Sequence, residues 1–244
     1  MKSILRFLIS LSGDETRRKL HKYLIQDSLA RKLRFLRNNG VKLDVIYDVG
    51  AYKGGWANFI HRKYGKAEII MFEANAEFAG DLEKTGFRYF LGPLASSERE
   101  LDFYSIGGTG DSYYREKTTV YDDVAPKKIR STTLDKLIAD NGLPLPDFIK
   151  IDTQGSEIDI LKGADKALEH ASLAYMECPI LEYNVGAPTL AEYISYMRGR
   201  GFLPHDLFEI HTKRGVLIQI DIMFVRKDVL LRLFPDATEF YKEL

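Results

Sequence analysis

Cysteine is nearly absent: Cys178 is the single one in 244 residues. One thiol makes no internal disulfide and no cysteine-rich zinc site. The composition suits a reducing compartment, and a cytoplasmic location is the expectation. Net charge is absent too, because 35 Lys and Arg balance 35 Asp and Glu. That excludes a protein that holds nucleic acid by bulk positive charge, and no nucleic-acid partner is expected. No apolar run approaches the roughly 18–20 residues of a membrane span. Internal repeats and low-complexity linkers are also missing. What is present is ordinary globular material, 45% hydrophobic and 29% charged. The length suits one large domain, or one domain with an appendage.

Residues 1–12 begin like a signal peptide, with a Lys and then an apolar stretch. Arg6 interrupts that stretch and no small-residue cleavage site follows, so the segment reads as a short amphipathic helix. From Asp14 to Asn39, Leu20, Tyr23, Leu24, Leu29, Leu33 and Leu36 recur at the spacing of a helix. Asn39-Gly40 closes it. Residues 1–40 are therefore read as a helical extension. It is a cap over the site, a dimer contact, a surface helix touching a membrane peripherally, or a helical pair packed on the main domain. Residues 41–244 are that main domain.

Strand-like apolar runs lie at 45–49, 68–72, 88–91, 148–151 and 173–176. Helical patterns separate most of them, at 56–63, 76–84, 134–140, 158–170 and 190–200. This alternation predicts βαβ units and a mostly parallel sheet. Two further runs, 207–212 and 216–226, flank Lys213-Arg214-Gly215 and predict an antiparallel hairpin at the end. Thr189 and Glu192 form a capping box for the last inner helix, and Gly201 ends it. The stretch 107–111 reads as the most flexible of the chain and as a substrate loop.

The first strand runs into Asp48-Val49-Gly50-Ala51-Tyr52-Lys53-Gly54-Gly55-Trp56. A glycine turn before a helix lets a ligand approach the backbone. A Walker loop would need Lys and Ser or Thr after Gly55, where Trp56 and Ala57 stand. A dinucleotide fingerprint would need glycine at Tyr52, and Asp48 would repel a pyrophosphate. S-adenosylmethionine has no phosphate and carries two positive charges, which an acid at the strand end favours. Glu73, at the tip of the next strand, suits the ribose hydroxyls. The plainer alternative is that Gly50 and Gly54 serve only the turn and that Glu73 opens a helix.

Another strand–acid–turn–helix segment is Phe148-Ile149-Lys150-Ile151-Asp152-Thr153-Gln154-Gly155-Ser156-Glu157. Lys150 in a buried strand needs a carboxylate, which Asp152 or Asp48 could supply. Glu177 ends the strand after it, and ligands of parallel sheets sit at such carboxyl ends.

With these blocks the chain resembles the FkbM-type methyltransferases, class I enzymes that use S-adenosylmethionine. The matching pieces are Asp48-Val49-Gly50-Ala51, Phe72-Glu73-Ala74, Ser131-Thr132-Thr133-Leu134-Asp135, and Ile149-Lys150-Ile151-Asp152 with Gly155 and Glu157. Ile160-Leu161-Lys162-Gly163-Ala164 follows, and the segment 219–226 also fits. The chain departs from the usual pattern at Tyr52, where Asn is common, and at Gln154, where Glu is common. The resemblance implies an α/β Rossmann-like class I methyltransferase fold. Its seven-stranded sheet is mostly parallel, with a C-terminal antiparallel hairpin. It makes 41–244 the methyltransferase domain. It implies a cofactor held by Asp48, Gly50, Ala51, Tyr52, Glu73, Ala74 and Asp152, and methylation of a hydroxyl on a sugar, glycan or glycosylated small molecule.

Methyl transfer to a hydroxyl benefits from positioning and from a base. Asp152, Glu177 and His205 are the chosen catalytic candidates, with His211 and Asp221 as further bases. A divalent metal on Asp152 and Glu177 is weighed, but no compact ligand motif supports it and no metal site is expected. Tyr113 and Tyr114 could stack on a sugar ring. Lys127-Lys128-Ile129-Arg130 reads as a solvated basic face, Trp56 as a packing residue and Cys178 as buried and inert. The competing readings are methylation of another nucleophile, on a peptide or lipid head group, and a non-catalytic module that binds a ligand or partner.

Overall fold

The structure, a computed structural model, describes residues 14–235. The helix expected over residues 1–12 lies outside the described residues. The chain begins with α1 (Asp14–Asn38), β1 (Val45–Val49), α2 (Gly55–Tyr64) and β2 (Glu68–Glu73). A 3₁₀ turn (Ala76–Phe78) leads into α3 (Ala79–Glu83), followed by β3 (Arg88–Leu91), β4 (Glu100–Phe103) and β5 (Lys127–Arg130). Then come α4 (Leu134–Asn141), β6 (Phe148–Ile151), α5 (Glu157–Lys162), α6 (Asp165–His170) and β7 (Leu173–Pro179). The chain closes with α7 (Leu190–Gly199), β8 (Phe202–Lys213), β9 (Val216–Arg226) and α8 (Lys227–Leu233).

Seven strands form one sheet in the order β3-β2-β1-β6-β7-β9-β8. The pairs among β3, β2, β1, β6 and β7 are parallel, while β9 runs antiparallel to β7 and β8. Every residue of β1 is buried, as a central strand covered on both faces requires. Side-chain alternation then splits the core in two. Val45, Tyr47, Val49 and Ile149 face the cluster that holds Leu134, Leu161, Leu168 and Tyr193. Ile46, Phe148, Leu173 and Met223 face the cluster that holds Ile60, Val229 and Leu29, Leu33 and Leu36 of α1. Leu29, Leu33 and Leu36 of α1 are thus core material on one face of the sheet. At about 1.5–3 kcal/mol per fully buried leucine, these three side chains contribute substantially to stability.

One expectation is corrected. The single helix over 158–170 is two helices. At Gly163 the chain passes so close to Ala95 that a Cβ would lie 2.3 Å from its carbonyl oxygen. After the break, Asp135 caps the new helix, accepting the N–H of Lys166 at 2.8 Å and of Ala167 at 3.0 Å. Thr133 meanwhile caps α4 by accepting the N–H of Lys136. The Thr-Leu-Asp block is therefore a pair of helix caps. Lys127–Arg130 is exposed apart from half-buried Ile129, as a solvated basic face is, and it also forms a strand that no apolar run announced. It pairs antiparallel with β4 in a separate two-stranded sheet. Lys128 lies 2.8 Å from Asp102 across the ladder, and Lys127 lies 3.1 Å from Glu77. Polar strands of this kind show no apolar run to read.

Candidate active site

The β1 turn is shaped by close approach. Gly50 has φ +77°, and a Cβ there would fall 1.8 Å from the Asp152 carbonyl oxygen. Only glycine lets the β1 and β6 turns meet at this distance. The N–H groups of Gly50 and Ala51 donate to the Phe72 carbonyl at 2.9 and 3.1 Å, fastening the same turn to β2.

Glu73 closes the other side. Its two carboxylate oxygens accept the N–H of Tyr52 at 2.6 Å and of Asn75 at 2.8 Å. Burial pushes its pKa up, against the pull of those two N–H groups. Asn75 in turn donates to Asp111 at 2.8 Å, and Asp111 accepts the N–H of Ile106 at 3.0 Å. The glycine stretch expected to be flexible is therefore wrapped around Asp111 and tied to the tip of β2.

These turns line a cavity at the carboxyl ends of β1, β2 and β6. Gly50, Tyr52, Glu73, Ala74, Asp111 and Asp152 give it polar and backbone walls, and Phe72, Phe78, Leu94 and Phe103 give it apolar ones. The Tyr52 ring packs edge-on against Phe78 at 4.5 Å. Three carboxylates line the cavity and no Lys, Arg or His does. Thr153 also lines it, with a buried hydroxyl that has no partner within the described residues. This donor set fits a cationic ligand with hydroxyls and disfavours a phosphate.

The β6 turn is anchored from below. Glu157, 1% exposed, accepts the N–H of Thr153 at 2.7 Å, the N–H of Gly155 at 3.0 Å and the hydroxyl of Tyr193. Gln154 between them adopts φ +57°, a left-handed backbone that few non-glycine residues take. Its side-chain amide donates to Asp152 at 3.0 Å and to Glu177 at 3.2 Å. Ser112 donates to the carbonyls of Thr153 and Gln154 at 3.2 and 3.0 Å.

Beneath this turn, Lys150 lies 2.9 Å from Asp48, donates to the Gly50 carbonyl at 2.9 Å, and is 3.8 Å from Asp152. Burial opposes its charge, but Asp48 and Asp152 outweigh burial and hold its pKa above the ordinary value. Beyond Gln154, Glu177 stands opposite Asp221 on β9. Burial raises the Glu177 carboxyl well above the usual range, with Asp152 and Asp221 adding to it. Asp221 accepts the Tyr175 hydroxyl at 2.6 Å and is pushed up to about 7, first by burial and then by Asp152 and Glu209.

Of the residues chosen from sequence, Gly50, Tyr52, Glu73, Ala74 and Asp152 meet at the cavity. Asp48 and Ala51 do not line it. Asp48 is fully buried against Lys150, so it acts as the counter-ion of that lysine and is out of reach of a ligand. Glu177 lies next door, in a second cavity beyond Gln154. His205 is corrected outright. It sits on the edge strand β8, three strand spacings or about 14 Å from β6. Its ring lies 6.5 Å from that of Phe234, on the flank of the sheet. Its place in the sequence, close to the final hairpin, gave no hint that β7 and β9 stand between it and β6.

His211 lies 3.5 Å from Glu209 on the same edge strand. Tyr113 lines the cavity and donates to Asp159 at 2.9 Å. Trp56 packs on Phe148, with the Lys150 ammonium 5.9 Å from its ring. Cys178 is fully buried, and burial pushes its thiol up. The roles of Asp111, Ser112 and Tyr193 were missed. Only Asp111 left a signal, as the acid closing a glycine-rich stretch. Among the described residues, no group of three or more His, Cys, Asp or Glu is arranged to hold a metal ion. No described helix is long and apolar enough to cross a membrane.

The strand order, the single antiparallel strand and a cavity at the carboxyl edge together define the class I S-adenosylmethionine-dependent methyltransferase fold. Within it, the model of the methyltransferase FkbM domain matches residues 48–204, and the chain belongs to that family. A hexuronic acid methyltransferase of Haloferax volcanii is 24% identical over 154 residues. That match covers 59% of this chain and 60% of the relative's length. The magnesium protoporphyrin IX methyltransferase of Synechocystis PCC 6803, solved with bound S-adenosylhomocysteine, superposes with a TM-score of 0.51. It shares 10% identity, with 93% of this chain and 95% of that one covered, and so shares the fold.

Proposed function

We propose that the protein transfers a methyl group from S-adenosylmethionine to a hydroxyl oxygen of a sugar or glycosylated acceptor. The observation that carries this reading is the cation-compatible cavity itself, with Glu73 on one wall and Asp152 on the other. The sugar-directed relative supports the acceptor class. When bound, S-adenosylmethionine supplies an electrophilic methyl on a sulfonium. Glu73, fixed by two backbone N–H groups, faces the ribose hydroxyls. Tyr52 and Phe78 offer flat apolar surface, and the backbone at Gly50 allows close approach. Asp152 stands at the rim toward Glu177. As the acceptor's O–C bond forms and the S–C bond breaks, the hydroxyl proton passes to a carboxylate. Burial raises the Glu177 pKa, with Asp152 and Asp221 adding to it, and Asp152, which lines the cavity, is the carboxylate placed to accept that proton.

Calorimetric titration with S-adenosylhomocysteine tests the cofactor half. The wild type binds, and Glu73→Gln binds at least tenfold more weakly, a loss of about 1.4 kcal/mol. A wild-type protein that binds no S-adenosylhomocysteine would overturn the reading. Release of S-adenosylhomocysteine on incubation with glycosides tests the acceptor half.

A further inference from the structure

Exposed apolar side chains gather at one end of the molecule. Six of the twelve large ones exposed among the described residues are Leu181, Tyr183, Val185, Leu207, Ile210 and Val216. They lie on the loop after β7 and on the β8–β9 hairpin. That loop starts against the hairpin, where the Ile180 N–H donates to the Ile218 carbonyl at 2.7 Å. Its other end meets the segment 115–117. Lys117 donates its N–H to the Tyr183 carbonyl at 2.9 Å, and Val185 donates to the Arg115 carbonyl at 2.8 Å. Between these bonds Glu116 and Asn184 pair and are both buried. Alternation therefore turns Arg115, Lys117, Tyr183 and Val185 outward. Asn184 donates to the Tyr114 carbonyl at 2.8 Å, next to Tyr113 of the cofactor cavity. Leu207 and Ile210 pair with Ile222 and Ile220, which pack with Phe72 and Ile160 of the cavity wall. Residues directly opposite in a ladder share a face, so these two stand on the cavity's side of the sheet.

Cations are interleaved with this apolar rim. The hairpin runs on past β7, whose last pair is Pro179 with Gln219. At its tip Arg214 and Gly215 take φ +52° and +77°, the backbone of a tight hairpin turn. Lys213 and Arg214 are exposed there, and neither has a carboxylate partner among the described residues. Arg115 and Lys117 each hold an acid of the rim, Asp122 at 2.9 Å and Glu182 at 2.7 Å. The surplus charge is therefore positive and sits at the tip. A specific protein interface is built around aromatic anchors, and Tyr183 is the one aromatic among these six side chains. Aliphatic side chains set between cations fit an anionic bilayer instead. There the apolar groups enter the acyl boundary, and Lys and Arg stay among the phosphates.

We propose that this rim docks the protein on an anionic lipid bilayer, with the hairpin tip and the loop after β7 at the headgroup boundary. The inference goes beyond methyl transfer and does not depend on which acceptor is used.

The test sediments the full chain with vesicles of phosphatidylcholine, made with and without phosphatidylglycerol. The wild type is expected to bind the phosphatidylglycerol vesicles, to bind phosphatidylcholine alone at least tenfold more weakly, and to lose affinity as salt rises. Two double variants probe the rim separately: Lys213→Glu with Arg214→Glu for its charge, and Leu181→Asn with Val185→Asn for its apolar side chains. Each should weaken vesicle binding at least tenfold, while the thermal midpoint, the check on folding, stays near that of the wild type. A wild type that remains in the supernatant overturns the inference. So does vesicle binding that either double variant retains in full, which would place the contact elsewhere on the chain. Variants that lose self-association in sedimentation velocity, with no change in vesicle binding, would make the rim an interface between copies and overturn it as well.

Discussion

Asp48 and Lys150 are the residues where chemistry and stability meet most directly. Both are buried, on adjacent strands, 2.9 Å apart. Breaking a buried pair from one side leaves a charge without a partner, at about 3–5 kcal/mol. Lys150→Met is therefore expected to lower the unfolding free energy by roughly that amount. The double variant Lys150→Met with Asp48→Leu should recover part of it, as urea midpoints would show. A double variant that is less stable than Lys150→Met would refute the pairing. Sequence reasoning flagged both residues, and it left the partner of Lys150 open between Asp48 and Asp152. Only strand register decides between them, and register is not written in any one segment.

Asp221 gives a second residue-level expectation. Its pKa in the fold, about 7, lies above the unfolded value. Between those values the folded state binds more protons than the unfolded one, so Asp221 costs stability as pH rises from about 4 to 7. Above pH 7 the cost is constant. Asp221→Asn keeps an acceptor for the Tyr175 hydroxyl and removes the titration. Its stability relative to wild type should rise by about 2–4 kcal/mol between pH 4.5 and pH 8. A difference that does not change with pH would show that Asp221 titrates normally.

Among the elements, the parallel strands and most helices were legible because apolar periodicity is local. β4 and β5 were not, because exposed polar strands held by cross-strand ion pairs carry no such period. The helix break at Gly163 was hidden for another reason. It answers to Ala95 and Asp135, far away in sequence, and a local pattern cannot report them. Asp135 also shows how a family-diagnostic block can be architectural. Asp135→Ala removes the cap of α6 and should cost about 0.5–2 kcal/mol. Affinity for S-adenosylhomocysteine should stay as in the wild type. A variant that keeps its stability and loses binding would move Asp135 into the site.

For the whole molecule, the extension expected over residues 1–40 joins the core through α1. Leu29, Leu33 and Leu36 are buried on the sheet face that also carries Ile60 and Val229. Leu33→Ala should lower the unfolding free energy by about 2–5 kcal/mol in a urea titration. A loss below ~1 kcal/mol would mean the helix detaches easily. The candidate cavity was half legible: its backbone turn and its acids could be read, while its division by Gln154 from a second, smaller one could not. That division depends on a left-handed residue whose side chain spans two strands.

The order of the strands also sets a schedule during synthesis. β1 ends beside Gly50, yet the lysine that neutralises Asp48 comes 100 residues later. At about 5–20 residues per second, a ribosome needs on the order of 5–20 s to deliver it. For that interval β1, an interior strand of the future sheet, has an open, apolar edge and an uncompensated acid. The nascent chain therefore passes through a window in which chaperone capture competes with completion of the sheet.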